Sequence, residues 1–376
     1  MGQTRLNPSR SASTREQDER LAVNHIAEQL QPVDDLTVLV FCSSRYDLSR
    51  LNDALRQAFP GEVLGCTSAG LIGHQGFQRG GMTAIGLSKS AYRVEPYLIK
   101  PLSDCNSEIA TLAQKLKTQS PDAFSAGKTF GILLVDGLSQ MEEKVVSALD
   151  EHLSSIPVVG GSAGDDLRLR ETHVIFGGGV HTDAAAFAFV TTDVPFELLH
   201  VHHFVPGQRK IEITSANSNV RTIYEINHET AALAYADLVN VSMADLNPNV
   251  FSRHPLLVEH GGRHFVRSIQ RVNGDGSLTL YSAIDGGHTA WIGEPREPLT
   301  VLTEAFDSLP EPVREPSLVI GFDCVLRRLE FEQKRLDAAV GRFLSERHVV
   351  GFCTYGEQYD NLHMNQTFTG VALKSG

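Results

Sequence analysis

The chain has 376 residues, a hydrophobic fraction of 41% and a formal net charge of −12 with histidine neutral. That length exceeds one small core and predicts two domains or one large one, and the acidic balance argues against a general binder of nucleic-acid backbones. Five scattered cysteines without a C-x-x-C pair exclude a zinc ribbon, a thioredoxin-like site and covalent c-type haem; with no secretory apolar region they fit a reducing cytoplasm, and no apolar run reaches membrane-spanning length.

Residues 1–20 are rich in Ser, Arg, Gln and Glu and read as a mobile tail. A helix is predicted from 16 to 30, ended by Pro32, and the apolar run 36–42 has the length and branching of a buried strand. An amphipathic helix over 48–58 leads to a short strand at 63–66, a Gly-rich loop over 72–81 and strands at 83–87 and 92–99. Ile109, Leu112, Ala113 and Leu116 share one face of a helix over 106–117. Glu142 and Glu143 suit the positive end of a helix over 141–153, with strands to follow at 173–176, 184–190 and 198–204. Near Asn227 the pattern changes to a helix at 231–238 and then hairpins. Asn273-Gly274-Asp275-Gly276 is the turn between 265–270 and 277–281. Five prolines between 295 and 316 leave room for a short helix at 299–309, and 326–344 reads as the longest helix.

Part of this order is repeated. VLVFCSSR from Val38 runs through a helix into Gly65-Cys66-Thr67-Ser68-Ala69-Gly70. ILLVDGLS from Ile132 runs at the same spacing into Gly160-Gly161-Ser162-Ala163-Gly164, an offset of 94 residues. A weaker copy joins Leu318–Asp323 to Val349–Gly356. Each copy reads as strand, helix, strand and Gly-rich turn. The fold expected is α/β, two linked domains of such units, with a tail over 1–20, a first domain over 21–226 and a second over 227–376 that holds the third copy.

The turns have two readings. Gly160, Gly161 and Gly164 at positive φ would point backbone N–H groups at an anion. Asp136 would stand at the carboxyl edge of the sheet, where α/β ligands bind. Ser162 and, in the matching turn, Cys66 and Ser68 would then join the ligand set. Alternatively, the turns only let strands and helices pack closely. Ala126-Gly127-Lys128-Thr129 ends like a Walker A loop but lacks its first glycine, and G-x-S-x-G, H-E-x-x-H and G-x-G-x-x-G in the required context are missing. No recognised catalytic motif remains, and Asp165-Asp166 would splay apart rather than form a dyad.

GCTSAG at 65–70, LLVDGLS at 133–139 and VVGGSAGDD at 158–166 resemble the FIST N-terminal sensory domain. NGDGSLTLYSAID at 273–285, GFDCVLRRLE at 321–330 and GFCTYGEQYDNLHMNQTFTG at 351–370 resemble its C-terminal partner. The last motif is similar to the bacterial NosP branch. That resemblance implies a non-catalytic sensor in a two-component system, binding haem b non-covalently, detecting nitric oxide and modulating a histidine kinase, often in cyclic-di-GMP or biofilm control. Other FIST proteins imply a small metabolite such as an amino acid. A metabolic enzyme for a small anion is a further alternative. No nucleic acid or membrane insertion is expected, a homodimer is reasonable, and the location expected is cytoplasmic.

Within the resemblance, His363 is the first choice as haem-iron ligand, against the plainer reading that it bonds a loop carbonyl. Cys324, Cys353, His288 and Tyr355 are lesser candidates. Arg327 would hold a propionate, or form an ordinary salt bridge. Where such proteins often read Asp-Glu-Gly, this chain has Asp285-Gly286-Gly287-His288. His200, His202 and His203 form H-x-H-H, read as an edge-strand cluster because no third metal ligand is identifiable.

Overall fold

The structure is a computed structural model describing residues 7–124 and 127–375. The described residues divide into two compact units. The larger takes those up to His200, Phe306–Leu362 and those from Phe368 onward; the smaller takes Val201–Ala305 and His363–Thr367.

The larger unit is built on three pairs of parallel strands, one from each repeat: Leu36–Ser43 with Val63–Ser68, Thr129–Val135 with Val158–Ser162, and Leu318–Cys324 with Val349–Thr354. All are short apolar runs buried on both faces, as strands joined by helical crossovers must be. In each pair a glycine of the second strand faces the first strand, Val40 opposite Gly65, Leu133 opposite Gly160 and Gly321 opposite Gly351, although the second pair is shifted by two residues from the first under the 94-residue offset. A Cβ on Gly65, Gly160 or Gly351 would lie 2.0, 1.9 or 1.8 Å from the facing residue's carbonyl oxygen. A glycine is needed in each second strand because the paired backbones leave no room there for a side chain.

The first strand of each pair is flanked by an antiparallel strand from later in the chain: Met82–Ser88, Ala185–Thr192 and Phe368–Leu373. The second strand is flanked by a strand belonging to a different repeat. Leu71–Gly73, after the first copy, pairs with the third copy's Val349–Thr354. Val174–Phe176, after the second copy, pairs with Val63–Ser68. Glu357–Tyr359, after the third, pairs with Val158–Ser162. Each copy therefore completes another's sheet, and the exchange closes in a ring.

One apolar core joins the inner faces of the three sheets. At its centre Phe41 stacks on Phe352 at 4.6 Å, and Phe322 meets their edges at 6.1 and 5.6 Å. Helices Glu19–Leu30 and Leu48–Ala58 cover the first sheet's outer face. Cys105–Gln119 and Glu142–Leu153 cover the second's. Val325–Lys334 and Asp337–Glu346 form the third crossover. The expected single helix over 326–344 is interrupted by Arg335, whose φ of 57° reverses the chain and caps the first segment.

Two expectations of organisation differ from what is observed. The third repeat packs with the first two, not in the smaller unit, because its sheet shares their core and exchanges strands with them. Within the stretch read as a tail, Ser9–Thr14 is an edge strand paired antiparallel with Met82–Ser88, and Asp18 caps the helix that follows; residues 1–6 lie outside the described residues.

The smaller unit is an antiparallel sheet in the order Arg263–Arg267, Leu256–His260, Thr289–Pro295, Phe204–Asn217, Thr222–Ile226, Leu278–Leu280, Ile269–Val272. Helices Ala231–Leu238 and Pro248–Arg253 accompany it. The turn at Asn273–Gly276 is present, with Gly276 N–H donating to the Asn273 carbonyl at 3.0 Å. It joins Ile269–Val272 to Leu278–Leu280, a few residues from the expected strands, because Arg263–Arg267 pairs with Leu256–His260 instead.

Candidate functional site

The three Gly-rich turns meet, and their backbones bind one another in turn. Ala69 N–H donates to Cys353 O at 2.9 Å and Cys353 N–H to Gly70 O at 2.7 Å. Gly164 N–H donates to Thr67 O at 3.0 Å and Asp166 N–H to Ser68 O at 3.2 Å. Ser162 N–H donates to Gly356 O at 2.7 Å and Tyr355 N–H to Ser162 O at 3.1 Å. This corrects the anion-nest geometry. Gly160 and Gly161 lie inside strand Val158–Ser162, and neither they nor Gly164 has positive φ. The Ser162, Ala163 and Gly164 donors all reach protein carbonyls. The glycines answer to space: a Cβ on Gly161 would fall 2.4 Å from Thr354 Cγ2, and one on Gly164 2.5 Å from Ala69 N. Gly70 does have positive φ, 131°, and a Cβ there would strike the Arg328 guanidinium.

Asp136 directly follows strand Thr129–Val135, beside the second turn, where Ala163 N–H donates to Val135 O at 2.8 Å. Its carboxylate is occupied. Oδ2 accepts from Asp183 N–H at 2.7 Å; Oδ1 accepts from Leu138 N–H at 3.2 Å and from the Thr172 hydroxyl. Asp136 thus pins three loop segments. Ser162 accepts from Gln358 Nε2 at 3.0 Å and donates to Glu142 Oε1 at 3.4 Å. Ser68 donates to Cys42 O at 3.0 Å. Cys66 is in the core, where burial raises its thiol pKa well above the ordinary value.

The haem candidates are divided between the two units. Arg327 Nε donates to Asp323 Oδ1 at 2.7 Å, with both side chains buried, and its guanidinium lies 5.1 Å from the Phe331 ring centre. Burial raises the Asp323 pKa despite Arg327. Cys324 is fully buried and precedes helix Val325–Lys334. Burial, outweighing Arg328, pushes the Cys353 thiol up to about 12, so it is protonated near neutral pH. The Tyr355 hydroxyl donates to Asp165 Oδ1. All four belong to the larger unit, whereas His288 and His363 belong to the smaller. His288 is exposed. His363 alone has the burial an axial imidazole needs, at 3% exposure, but Asn365, Gln366 and Thr367 beside it are buried polar residues. Gln366 accepts from Ser268 Oγ at 2.7 Å and donates to Ser252 O at 2.9 Å. The donor suits haem iron; this polar segment does not suit the apolar faces of the macrocycle. In the H-x-H-H cluster, His200 stacks on Tyr359 at 5.0 Å and a His202 ring nitrogen meets the His264 carbonyl at 2.8 Å. No grouping of three potential metal ligands occurs among the described residues.

Sequence reasoning passed over the loop after the second turn. The first and third turns run straight into strands at Leu71 and Glu357; the second is followed by residues 165–173 before Val174. Asp165, buried, accepts from Leu169, Arg170 and Glu171 N–H groups at 2.9, 2.7 and 3.2 Å and from the Tyr355 hydroxyl. Burial opposes its charge, but these donors outweigh it and its pKa is lowered. Asp166 splays away, as expected, and accepts from Ser43 and Ser44 hydroxyls at 3.3 and 3.1 Å. Asp166, Leu167 and Leu169 have φ of 56°, 63° and 51°, a conformation costing about 1–2 kcal/mol for a residue with a side chain. The signal available was the unequal spacing after Ser-Ala-Gly in the two stronger copies.

With this geometry in place, the chain matches the FIST N domain over residues 37–229 and the FIST C domain over residues 211–360. It belongs to the FIST family, whose domains are sensors in signal transduction. The third strand pair lies within the FIST C match but packs in the larger unit. The chain is also 21% identical, over 90% of its length and 73% of the relative's, to an uncharacterized protein of Methanocaldococcus jannaschii. No helix among the described residues is long and apolar enough to cross a membrane.

Proposed function

We propose that the chain is a non-catalytic sensor of a small polar ligand, held in the smaller unit and reported to a histidine kinase. The observation that carries the ligand class is a set of buried polar side chains: His363, Asn365, Gln366, Thr367, Ser268 and Ser282, each at most 3% exposed. The Ser282 hydroxyl is buried and has no hydrogen-bond partner among the described residues, whereas buried polar groups are normally paired. Two arginines frame it: Arg221 donates to Tyr281 O and Arg267 to Ala283 O, both at 2.8 Å. Family membership supplies the sensor role. The kinase rests on resemblance.

The second reading, haem carrying nitric oxide, is favoured by one observation, the burial of His363. A paired experiment separates the two. Purified protein is titrated with haem, with and without nitric oxide, and its thermal stability is measured against a panel of amino acids and small carboxylates. The polar-ligand reading expects stabilisation by a panel member, lost in Ser282→Ala, and no saturable Soret band. A Soret band that moves with nitric oxide and is lost in His363→Ala replaces it with the haem reading. No response to either removes both.

A further inference from the structure

The loop 165–171 breaks the symmetry of the three-copy scaffold, and all three copies hold it. Asp165 is fastened by Tyr355 of the third copy. Asp166 and Arg168 are fastened to the first copy, Arg168 Nη2 donating to Ser44 O at 3.0 Å and to its hydroxyl at 2.6 Å. What this clamp displays is unusual. Leu167 and Leu169 are 45% and 60% exposed, and both have left-handed backbone that bulky residues rarely adopt. Neither leucine gains burial within the chain to offset that strain, and strain held by a surrounding clamp marks segments with a task.

The charges beside the leucines indicate what would cover them. Arg168 and Arg170 are exposed between and after them, and Arg45, 69% exposed, lies 3.8 Å from Asp166. Glu171 is the exposed acid of the loop. The charges of this cluster balance, but they are sorted: Asp165 is buried and Asp166 half-buried, so the exposed face around the leucines shows three arginines against one acid. We propose that residues 165–171 form a preorganised docking loop for a partner protein whose surface offers an apolar groove edged by carboxylates. Two leucines fill such a groove, and the arginines match its rim, steering encounter and setting specificity.

The test uses the full chain. A photo-crosslinking amino acid at position 169 identifies the protein held in the cell, and that protein is then purified and titrated against the wild type and three variants. Leu167→Ser/Leu169→Ser should weaken binding at least tenfold with unchanged melting temperature. Arg170→Glu should weaken it and flatten its dependence on salt. Tyr355→Phe leaves the leucines in place but releases the clamp; it should weaken binding and speed tryptic cleavage after Arg168 and Arg170. A merely sticky surface would not respond to Tyr355→Phe. Crosslinking only to a second copy of the chain, leucine-dependent binding to phosphatidylglycerol vesicles, absence of any crosslinked protein, or affinity unchanged in the leucine variant would each overturn the proposal.

Discussion

Replacing Gly160 by alanine tests the repeat directly. Its Cβ would fall 1.9 Å from Leu133 O, and also within 3 Å of the Leu133 carbonyl carbon and amide nitrogen. Real Cβ atoms essentially never come within 3.0 Å of such neighbours, so the two strands must part by about 1 Å, and the obstacle is backbone rather than a movable side chain. Overpacking usually costs about 1–3 kcal/mol; a clash inside a parallel ladder buried on both faces belongs at or above the top of that range. With a urea slope of about 1–3 kcal/mol/M, the unfolding midpoint should fall by about 1–3 M. Gly65→Ala and Gly351→Ala should behave alike, since their clearances are 2.0 and 1.8 Å. Gly274→Ala is the control, with nothing within 4 Å of its Cβ and φ not positive; it should stay within about 0.5 kcal/mol. A Gly160→Ala protein that unfolds at the wild-type midpoint would refute the register of Val158–Ser162 on Thr129–Val135.

Asp165 has a lowered pKa, so the stabilisation its charge gives is present above the unfolded value of about 3.9 and is lost as pH falls through the folded one; amide exchange at Leu169 and Arg170, corrected for intrinsic rate, should be flat from pH 7 to 5 and rise below about pH 4. Cys353, protonated and buried, should resist iodoacetamide at pH 8 in the native protein and react once it is unfolded. Asp323→Ala should destabilise by about 3–5 kcal/mol in urea because it strands a buried guanidinium, whereas the double change Asp323→Leu/Arg327→Met should recover most of that loss.

The repeat was legible in sequence in the apolar runs from Val38 and Ile132 and in the two Ser-Ala-Gly turns; the glycines at 65, 160 and 351 mark close backbone approach, but Gly65 and Gly160 fall one residue out of step in that alignment. The same letter misled at Gly160 and Gly161. Sequence does not distinguish a glycine chosen for positive φ from one chosen for lack of volume, and these two are the second kind. The strand at Ser9–Thr14 was hidden because SRSAST has little apolar character; its ladder partner, Met82–Ser88, supplies what it lacks. The helix break at Arg335 was hidden because arginine carries no turn signal. Of the candidate site, Asp136 was placed correctly beside its strand end, but its oxygens are occupied by Thr172, Leu138 and Asp183. Two of those partners lie more than 30 residues along the chain, beyond any local pattern.

The ring of exchanged strands also sets a timetable for the chain. The strand after the first copy, Leu71–Gly73, finds its partner in Val349–Thr354, with Ile72 opposite Gly351, and the second copy's sheet waits for Glu357–Tyr359. During synthesis Leu71–Gly73 and the edge of Val158–Ser162 emerge with nothing yet to cover them, and the strands that satisfy them follow about 190 to 280 residues later. Such long-range pairing slows folding and prolongs exposure of unpaired strands. A chain stopped at residue 200 would keep the first copy's sheet, closed by Val174–Phe176, but would leave Leu71–Gly73 without a partner strand and the second copy's sheet without Glu357–Tyr359, so the weakest copy decides when the two strongest become native.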